Sequence, residues 1–576
     1  MDQATGVPRW FHERAAARLD LLYGEQGTRT LERLAERLVA HGIRAEGPVV
    51  PVWTEQDAIL ITYGDSIRCP GEAPLATLHR FLGDHLAGVI DNVHVLPFTP
   101  YSSDDGFAVI DYQRVNPELG DWDDLRRLAG SFNLMADLVI NHVSRENLWF
   151  IDYLRDEPPG RDFFIEADPA ADLSAVTRPR SQPLLSPVYL REGTRWVWTT
   201  FSKDQVDVNF ANPDVLLAYV DIMLRYVETG ARFIRLDAIA FLWKRPGTRC
   251  IHLRETHEVV KLLREILALV APGTVLITET NVPNGENLSY FGNSDEAHMV
   301  YNFTLPPLLL HALLFGSSTY LMRWLQDMPR PPRDCTYLNF TASHDGIGLR
   351  PTEDLLTPDE VESLIDTTHE FGAYVSMKSN SDGTESPYEI NVSLFDALAG
   401  TIHGRDQWQL PRFLCSQTIM LALQGIPALY IHSLTATPND RRGVEQTGRT
   451  RAINRHKWDY ATLHALLENP MTPNAQVFAA LRRLLEIRRR QPAFHPDATQ
   501  ETLPLGEACF GVLRTAAAGQ RIFALNNLTR LPQSVDISEH KRFEAGRPWY
   551  DLIAGRPVNT GGTVLLQPYQ SIWLAS

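Results

Sequence analysis

The feature that most constrains the fold is an eightfold alternation of short apolar runs with helix-forming stretches. The runs are rich in Val, Ile and Leu, and stretches such as EVVKLLREILALV separate them. They lie at 58–65, 92–98, 133–142, 231–240, 274–280, 298–303, 337–345 and 426–433. Strands that alternate with helices are typical of parallel sheets, and eight such units predict an α/β fold, a (β/α)8 TIM barrel.

The segment before the first apolar run has a different period. Residues 11–45 place apolar side chains at three- and four-residue spacing, and Gly24 and Gly42 stand where helices would end. This pattern predicts an N-terminal helical extension that spans residues 1–50.

The remaining chain predicts one catalytic barrel with three additions. The barrel is expected at 51–490. Two spacings between apolar runs are too long for ordinary loops, so we expect an inserted subdomain B at about 143–215 and an inserted subdomain B′ at about 350–410. Short alternating runs predict a C-terminal β-domain at 491–576.

Composition excludes several classes of partner. The 576 residues carry a net charge of −16, which argues against a nucleic-acid surface. No apolar run approaches the length of a membrane span, and the first residues lack the apolar core of a signal peptide, so we expect a cytoplasmic protein. The cysteines are scattered without CxxC spacing, which predicts reduced thiols and no structural metal. They are Cys69, Cys250, Cys335, Cys415 and Cys509.

Carboxylates end three of the apolar runs. Asp237 ends FIRLDA, Glu279 follows LIT, and Asp345 follows TASH. Active sites of TIM barrels form at the carboxyl ends of the strands, so we expect these three acids in one pocket. A further polar group closes the third run and consists of Asp137, Asn141 and His142.

Three carboxylates in one pocket suit cleavage of a glycosidic bond. Asp237 would be the nucleophile, and Glu279, whose pKa is expected to rise in apolar surroundings, would be the acid/base. Asp345 would bind sugar hydroxyls more tightly in the transition state. Arg235 lies on the same face of its strand as Asp237 and would hold the nucleophile ionised.

The chain resembles the α-amylase-type glycoside hydrolase clan over about residues 50–576. DLVINH, RLDA, TET and SHD look like the four signature regions of that clan, and QVDVNFANP resembles its additional short signature. The resemblance implies the same roles for the three acids. It also implies that His142 and His344 bind hydroxyls of a glucosyl unit.

Other stretches resemble the sucrose phosphorylase branch of the clan. They include HDGIG, LPFTPYSSDDGFAVIDY, GTRWVWTTFSKDQVDVN and GRTRAINRH. The resemblance implies a subsite for one glucose, closed by a pair formed by Asp104 and Arg451. It further implies that Phe201 is an aromatic wall and that Gln205 binds a hydroxyl.

The branch implies that phosphate, rather than water, takes the glucosyl group from the nucleophile. Cationic groups are then required, and TRPRSQPLLSP resembles the phosphate-binding stretch of the branch. Arg180 is the first choice as phosphate ligand, and Arg178 is the alternative. Two inversions would give α-glucose 1-phosphate, with no metal or cofactor and with inorganic phosphate as co-substrate.

Departures from the branch lie on the acceptor side. Asn281 stands where common sucrose phosphorylases carry histidine, the first 50 residues have no counterpart there, and the loop AYVSMKSNSDGTESPYEIN differs. ETNVP and the helical extension look more like relatives that act on glucosylglycerate or glucosylglycerol. We therefore expect a retaining phosphorylase that prefers glucosylglycerate, with sucrose and glucosylglycerol as alternatives.

Two further function classes stay open at this point. A retaining α-glucosidase or transglucosylase would use the same three acids with water or a sugar as acceptor. A non-catalytic barrel would serve as a binding subunit, although the presence of all three acids argues against it. The sequence leaves the oligomeric state open.

Overall fold

The computed structural model describes residues 6–45, 53–190, 193–380, 384–544, 546, 548–558 and 561–576. Eight strands form a closed barrel, and every pair of neighbours is parallel. The strands are β1 Ile59–Thr62, β2 Asn92–Val95, β3 Asn133–Val139, β4 Ala231–Asp237, β5 Val275–Thr278, β6 Met299–Tyr301, β7 Thr336–Phe340 and β8 Ile426–Tyr430. The predicted TIM barrel is confirmed.

The barrel strands are buried along almost their whole length, as expected for a parallel sheet that is covered by helices. Their register sets the height of the polar residues. Leu236 of β4 pairs with Thr278 of β5. The two residues that come next, Asp237 and Glu279, therefore lie side by side at the carboxyl end of the barrel.

The barrel strands are shorter than the predicted apolar runs, and for β7 this changes the position of a site residue. β7 ends at Phe340, so Asp345 lies in the following loop and not at a strand end. The loop leaves the sheet because its backbone finds side-chain partners. The Asn454 amide donates to the carbonyl oxygens of Ser343 and Asp345, and the Ser343 hydroxyl accepts from the Asp345 N–H.

Helices surround the barrel and follow the strands in alternation. The main ones are Pro74–Leu86, Trp122–Ser131, Pro213–Glu228, Arg254–Val270, Leu305–Phe315, Thr319–Asp327, Gln409–Ala422 and Pro473–Arg488. Local sequence starts them. For example, Asp121 and Asp124 form a capping box at the start of Trp122–Ser131, which satisfies backbone N–H groups that lack a partner in the first turn.

Two long connections carry their own strands and helices over the carboxyl end of the barrel. After β3, the strands His142–Ser144 and Gln205–Asp207 pair with each other. Between them lie the helix Leu148–Arg155 and the hairpin Leu185–Leu190 with Gly193–Trp198. The connection after β7 contains the helix Pro358–Glu370 and a three-stranded sheet of Ile347–Gly348, Tyr374–Ser379 and Glu385–Asn391.

The first described residues form two helices, α1 Arg9–Tyr23 and α2 Gly27–His41. Gly24 and Gly42 cap them with positive φ angles, as the sequence predicts. The Arg18 guanidinium of α1 reaches the barrel helix Arg254–Val270, where it donates to Glu265 at 2.8 and 3.0 Å and to Glu258 at 2.5 Å. The expected boundary at residue 50 lies outside the described residues.

The C-terminal region forms a six-stranded sheet with a separate apolar core around Leu513, Phe523 and Trp549. Its strands, in sheet order, are Thr499–Thr502, Cys509–Thr515, Arg521–Asn527, Ser571–Ala575, Trp549–Asp551 and Arg556–Val558. All five cysteines of the chain are free, and four are buried, as expected. Among the described residues, no helix is both long and apolar enough to cross a membrane.

Candidate active site

The three predicted acids meet in one cavity of about 60 Å³ at the carboxyl end of the barrel. Seven other predicted residues line the same cavity: Asp104, His142, Arg180, Phe201, Gln205, His344 and Arg451. Arg235 lies directly beneath it, and Arg178 faces a neighbouring cavity. Four lining residues were not among the predicted site residues: Phe107, Ala238, Asn281 and Tyr388.

Arg235 organises the base of the cavity. Its side chain is 2% exposed and donates a 2.8 Å hydrogen bond to Oδ1 of Asp237 and a second bond to Asp137. Asp137 also contacts His94 Nε2 at 2.6 Å. Burial alone would raise the pKa of Asp137, but His94 and Arg235 outweigh it and lower the pKa to about 2. The buried arginine is thus held between two carboxylates and fixes the orientation of the Asp237 side chain.

The electrostatics of Asp237 and Glu279 favour one shared proton. Burial raises the pKa of both groups, and each is raised further by a neighbouring carboxylate. Arg235 is 2.8 Å from Asp237 but 3.9 Å from Glu279, so it stabilises charge on Asp237 more strongly.

The backbone N–H of Ala238, the residue after Asp237, faces Glu279. Ala238 adopts a left-handed conformation, with φ 52°, which is uncommon for a residue with a side chain. Its N–H donates a 2.9 Å hydrogen bond to Oε2 of Glu279. This contact fixes one carboxylate oxygen of Glu279.

Asp345 is held ionised on the opposite side. Burial acts to raise its pKa, but Arg451, His344 and Arg455 together bring the pKa well below its usual value. Arg451 Nη1 lies 2.5 Å from Asp345 Oδ1. The same guanidinium donates two bonds, at 2.7 and 2.8 Å, to Glu389, which is 1% exposed. Asp345 can therefore bind hydroxyls as a carboxylate.

Asp104 and Arg451 both line the cavity, but no ion pair joins them within the described residues, so their closure of a glucose subsite stays a prediction. Glu389 engages Arg451 through both carboxylate oxygens. The cation nearest Asp104 is Arg455, at 3.7 Å. Arg455 also pairs with Asp105 at 2.6 Å, in a turn where both aspartates have positive φ angles.

Neutral polar groups form the wall between the acids and the first insertion. His142 Nε2 lies 2.9 Å from the Phe107 carbonyl oxygen and 3.1 Å from Gln205 Nε2. His344 stacks on the Phe107 ring at 4.9 Å. Burial lowers the pKa of His142, and it lowers that of His344 to about 3. Both imidazoles are neutral at pH 7 and can exchange hydrogen bonds with sugar hydroxyls.

A buried lysine supports this wall, and sequence reasoning missed it. Lys244 Nζ, in the loop after β4, lies 2.6 Å from Asp207 and 2.7 Å from the Asn141 amide oxygen. The Asn141 amide nitrogen is in turn 3.2 Å from His142 Nδ1. The available signal was a lysine after the apolar run IAFLW, because buried lysines need a partner.

The two predicted phosphate ligands are separated. Arg180 lines the catalytic cavity, and its guanidinium lies over the Tyr388 ring at 4.8 Å and near the Phe201 ring at 6.0 Å. Arg178 points into the adjacent cavity and donates to the Gln182 carbonyl. Among the cations that line the catalytic cavity in the described part of the chain, only Arg180 lacks an ion-paired carboxylate.

Asn281 and Tyr388 complete the side of the cavity near Arg180. The Asn281 amide nitrogen is 3.5 Å from the Tyr388 hydroxyl, and its amide oxygen is buried with no hydrogen-bond partner among the described residues. Gly348 lies so close that a Cβ there would be 2.7 Å from the amide. Glycine at this position therefore allows Asn281 to occupy the cavity wall.

Comparison with known proteins agrees with this geometry. The catalytic-domain model of the alpha-amylase family matches residues 87–325. Glucosylglycerate phosphorylase of Allomeiothermus silvanus is 45% identical over 563 residues, covering 96% of this chain and 97% of that protein. Glucosylglycerate phosphorylase of Escherichia coli is 43% identical over 560 residues, covering 96% and 98%.

A solved structure has the same fold. The crystal structure of sucrose 6F-phosphate phosphorylase from Thermoanaerobacter thermosaccharolyticum matches with a TM-score of 0.73 at 23% identity, covering 90% of this chain and 99% of that one. The family expected from the signature regions is confirmed. The chain belongs to the α-amylase-type clan, in the branch that includes the glucosylglycerate and sucrose phosphorylases.

Proposed function

We propose that this protein is a retaining α-glucoside phosphorylase that converts glucosylglycerate and inorganic phosphate into glycerate and α-glucose 1-phosphate. The observation that carries the proposal is the arrangement of Asp237, Glu279 and Asp345 around one small cavity with Arg235 beneath the nucleophile. The relatives at 45% and 43% identity are named glucosylglycerate phosphorylases, which supports glycerate as the leaving group.

In the first displacement, an Asp237 oxygen attacks the anomeric carbon. The bond from that carbon to the glycosidic oxygen breaks, and Glu279 gives its proton to that oxygen, so that glycerate leaves with its hydroxyl restored. A β-linked glucosyl ester of Asp237 remains. Asp345 and the neutral His142 and His344 hold the hydroxyls while positive charge develops on the ring.

In the second displacement, a phosphate oxygen attacks the same carbon from the side that glycerate has left. The ester bond to Asp237 breaks, and Glu279, now a carboxylate, accepts any proton carried by the attacking oxygen. Two inversions give the α-configured phosphate ester. Asp237 is then free for the next cycle.

Arg180 would serve both half-reactions. Glycerate leaves and phosphate enters on the same side of the glucosyl unit. One unpaired cation on that side can therefore bind first the carboxylate of glycerate and then phosphate. This shared use favours glycerate over the uncharged fructose and glycerol, since neither of those offers an anion to Arg180. Sucrose and glucosylglycerol remain the alternative substrates.

The proposal includes no metal and no organic cofactor, with phosphate as the only co-substrate. It also places the enzyme in the cytoplasm, and the five free cysteines are consistent with a reducing compartment. Cell fractionation with an antibody against the chain tests the location, and unchanged activity after dialysis against a chelator tests the absence of a metal.

Parallel assays of three glucosides test the function directly. Glucose 1-phosphate is measured after incubation of glucosylglycerate, glucosylglycerol or sucrose, each with and without phosphate. We expect phosphate-dependent glucose 1-phosphate from glucosylglycerate and much less from the other two. Equal release from sucrose would redirect the assignment of the aglycone, and free glucose that is indifferent to phosphate would establish a hydrolase.

A further inference from the structure

A second cavity beside the active site is basic. It has a volume of about 730 Å³ and is lined by Arg178, Arg249, Arg350 and Lys378, and among the described residues of its lining Glu353 is the one acidic side chain. Tyr388 lines both this cavity and the catalytic cavity. Pro179 also lines it, between Arg178 and the active-site Arg180 in the chain. The two cavities are thus neighbours with a shared wall.

The positive charge of this cavity is only partly neutralised. Arg249 and Arg350 share a single carboxylate, Glu286, at 3.3 and 3.7 Å. Lys378 pairs with Glu353 at 2.7 Å. Arg178 has no carboxylate within ion-pair distance in the described part of the chain, and its Nε is buried there without a hydrogen-bond partner.

This local charge is opposite to the charge of the whole chain, which is −16. The catalytic cavity itself is lined by four acidic residues, Asp104, Asp237, Glu279 and Asp345, so an anion that approaches from bulk solvent is repelled by the whole chain and by this cavity. A cleft with charge of one sign concentrates ligands of the opposite sign and raises their association rates. A basic cavity beside the catalytic cavity would reverse this repulsion locally.

We propose that this cavity, which we call the basic vestibule and define by Arg178, Arg249, Arg350 and Lys378, is the entry site for anionic substrates. It attracts phosphate, sugar phosphates and carboxylate-bearing glucosides before they pass Tyr388 into the catalytic cavity. The inference rests on the proposed function for the identity of those anions. The vestibule acts on association and not on the chemical step.

The test compares an anionic and a neutral donor of the same glucosyl group. Glucose 1-phosphate and α-glucosyl fluoride are supplied with water as acceptor, and released phosphate or fluoride gives kcat/KM for formation of the glucosyl enzyme. The variants are Arg249→Gln and Arg178→Gln. Arg126→Gln is the control, because the Arg126 side chain is 58% exposed and that of Arg249 is 59% exposed.

For glucose 1-phosphate at low salt, Arg249→Gln and Arg178→Gln should each lower kcat/KM by about threefold to tenfold. The difference in kcat/KM between these variants and the wild type should disappear near 1 M salt, where the screening length falls to about 3 Å. Glu353→Gln should raise kcat/KM for glucose 1-phosphate, because it removes a negative charge from the lining of the cavity. The neutral fluoride and the Arg126→Gln control should show no change.

Equal losses of kcat/KM for both donors, or losses that salt does not reduce, would disprove the proposed role of the vestibule. An unchanged constant in all three vestibule variants would do the same. If glucose 1-phosphate gives no product while the fluoride is consumed, the proposed phosphorolysis has failed. In that case, inhibition of fluoride release by glycerate and by phosphate is measured instead of reaction with glucose 1-phosphate. The vestibule stands only if the arginine variants weaken that inhibition and if added salt reduces the difference from the wild type.

Discussion

The two sides of the catalytic cavity are built differently. On the side that we propose binds glucose, which we call the glucose side, His142, Gln205 and Asp345 have hydrogen-bond or ion-pair partners within the protein. On the acceptor side, Arg180 has no ion-paired carboxylate and the Asn281 amide oxygen has no hydrogen-bond partner, within the described residues. A buried polar atom without a partner is costly, so the Asn281 amide oxygen is suited to a polar ligand, and the guanidinium of Arg180 is suited to an anion.

The two sides of the cavity also differ in which parts of the fold supply their residues. On the glucose side, Asp237 and His142 lie at or just after barrel strands, where the register fixes their positions, and Gln205 comes from the first insertion. On the acceptor side, the two insertions bring Arg180 and Tyr388 together at 4.8 Å, and Asn281 follows β5. The same chemistry at the glucose side can therefore serve different acceptors when the insertions change.

The largest effect is expected at the nucleophile. Asp237→Asn should lower glucose 1-phosphate formation by at least about four orders of magnitude, because no covalent intermediate forms. Its thermal stability should be unchanged or higher, since one of several buried carboxylates is removed. Activity within about tenfold of the wild type would mean that the glucose side is assigned wrongly.

The next largest effect separates the acid/base from the nucleophile. Glu279→Gln should lower kcat/KM for glucosylglycerate by about 100-fold to 10,000-fold and have much less effect on α-glucosyl fluoride, whose leaving group needs no proton. In the wild type, burial raises the pKa of Glu279, so kcat/KM for glucosylglycerate should fall as pH rises through that value. If kcat/KM for α-glucosyl fluoride fell in the same way at alkaline pH, Glu279 would not be the acid that protonates the leaving group.

Arg180 tests the acceptor side by itself. At high salt, Arg180→Gln should raise the KM for phosphate by about tenfold to 100-fold, which corresponds to the loss of a charge-assisted hydrogen bond. Fluoride release from α-glucosyl fluoride should stay close to wild type. Arg178→Gln is the control, because high salt suppresses long-range effects. A similar rise in both variants would disprove a direct contact between Arg180 and phosphate.

Glu389 joins the two sides, because it comes from the second insertion and fixes Arg451 against Asp345. Glu389→Gln should weaken that orientation and reduce kcat/KM for both donors by about tenfold. Glu385→Gln, an exposed position on the same strand, should have no effect. If the Glu389 variant loses activity with phosphate but not with the fluoride, Glu389 belongs to the acceptor side alone.

Asn281 offers the finest test. Asn281→Asp keeps the shape and adds a negative charge beside the acceptor, so the KM for phosphate should rise by a few-fold through repulsion. Asn281→Ala, which removes the amide without adding charge, should change that KM less. An equal change in the two variants would show that packing against Gly348, and not charge, is what matters there.

Much of the fold and of the glucose side could be predicted because both depend on local pattern. Apolar runs that end in Asp237 and Glu279 give the strands, and the closed sheet then brings the acids together. The length of β7 was overpredicted, since Asn454, far along the chain, supplies partners that end it. The roles of the site residues remain predictions until the variants are measured.

The acceptor side could not be predicted in the same way. Glu389 binds Arg451 from an insertion whose path no local pattern specifies, and the cation within ion-pair distance of Asp104 is Arg455. Arg178 and Arg180 are two residues apart but reach different cavities. Such partner choices depend on tertiary contacts between segments that are distant in sequence.

The most direct measurement is mass spectrometry of the Glu279→Gln variant after reaction with α-glucosyl fluoride. The account predicts a glucosyl adduct on the peptide that contains Asp237, and its conversion to α-glucose 1-phosphate when phosphate is added. No adduct, an adduct on another residue, or release of free glucose at the same rate with and without phosphate would contradict double displacement to phosphate through Asp237.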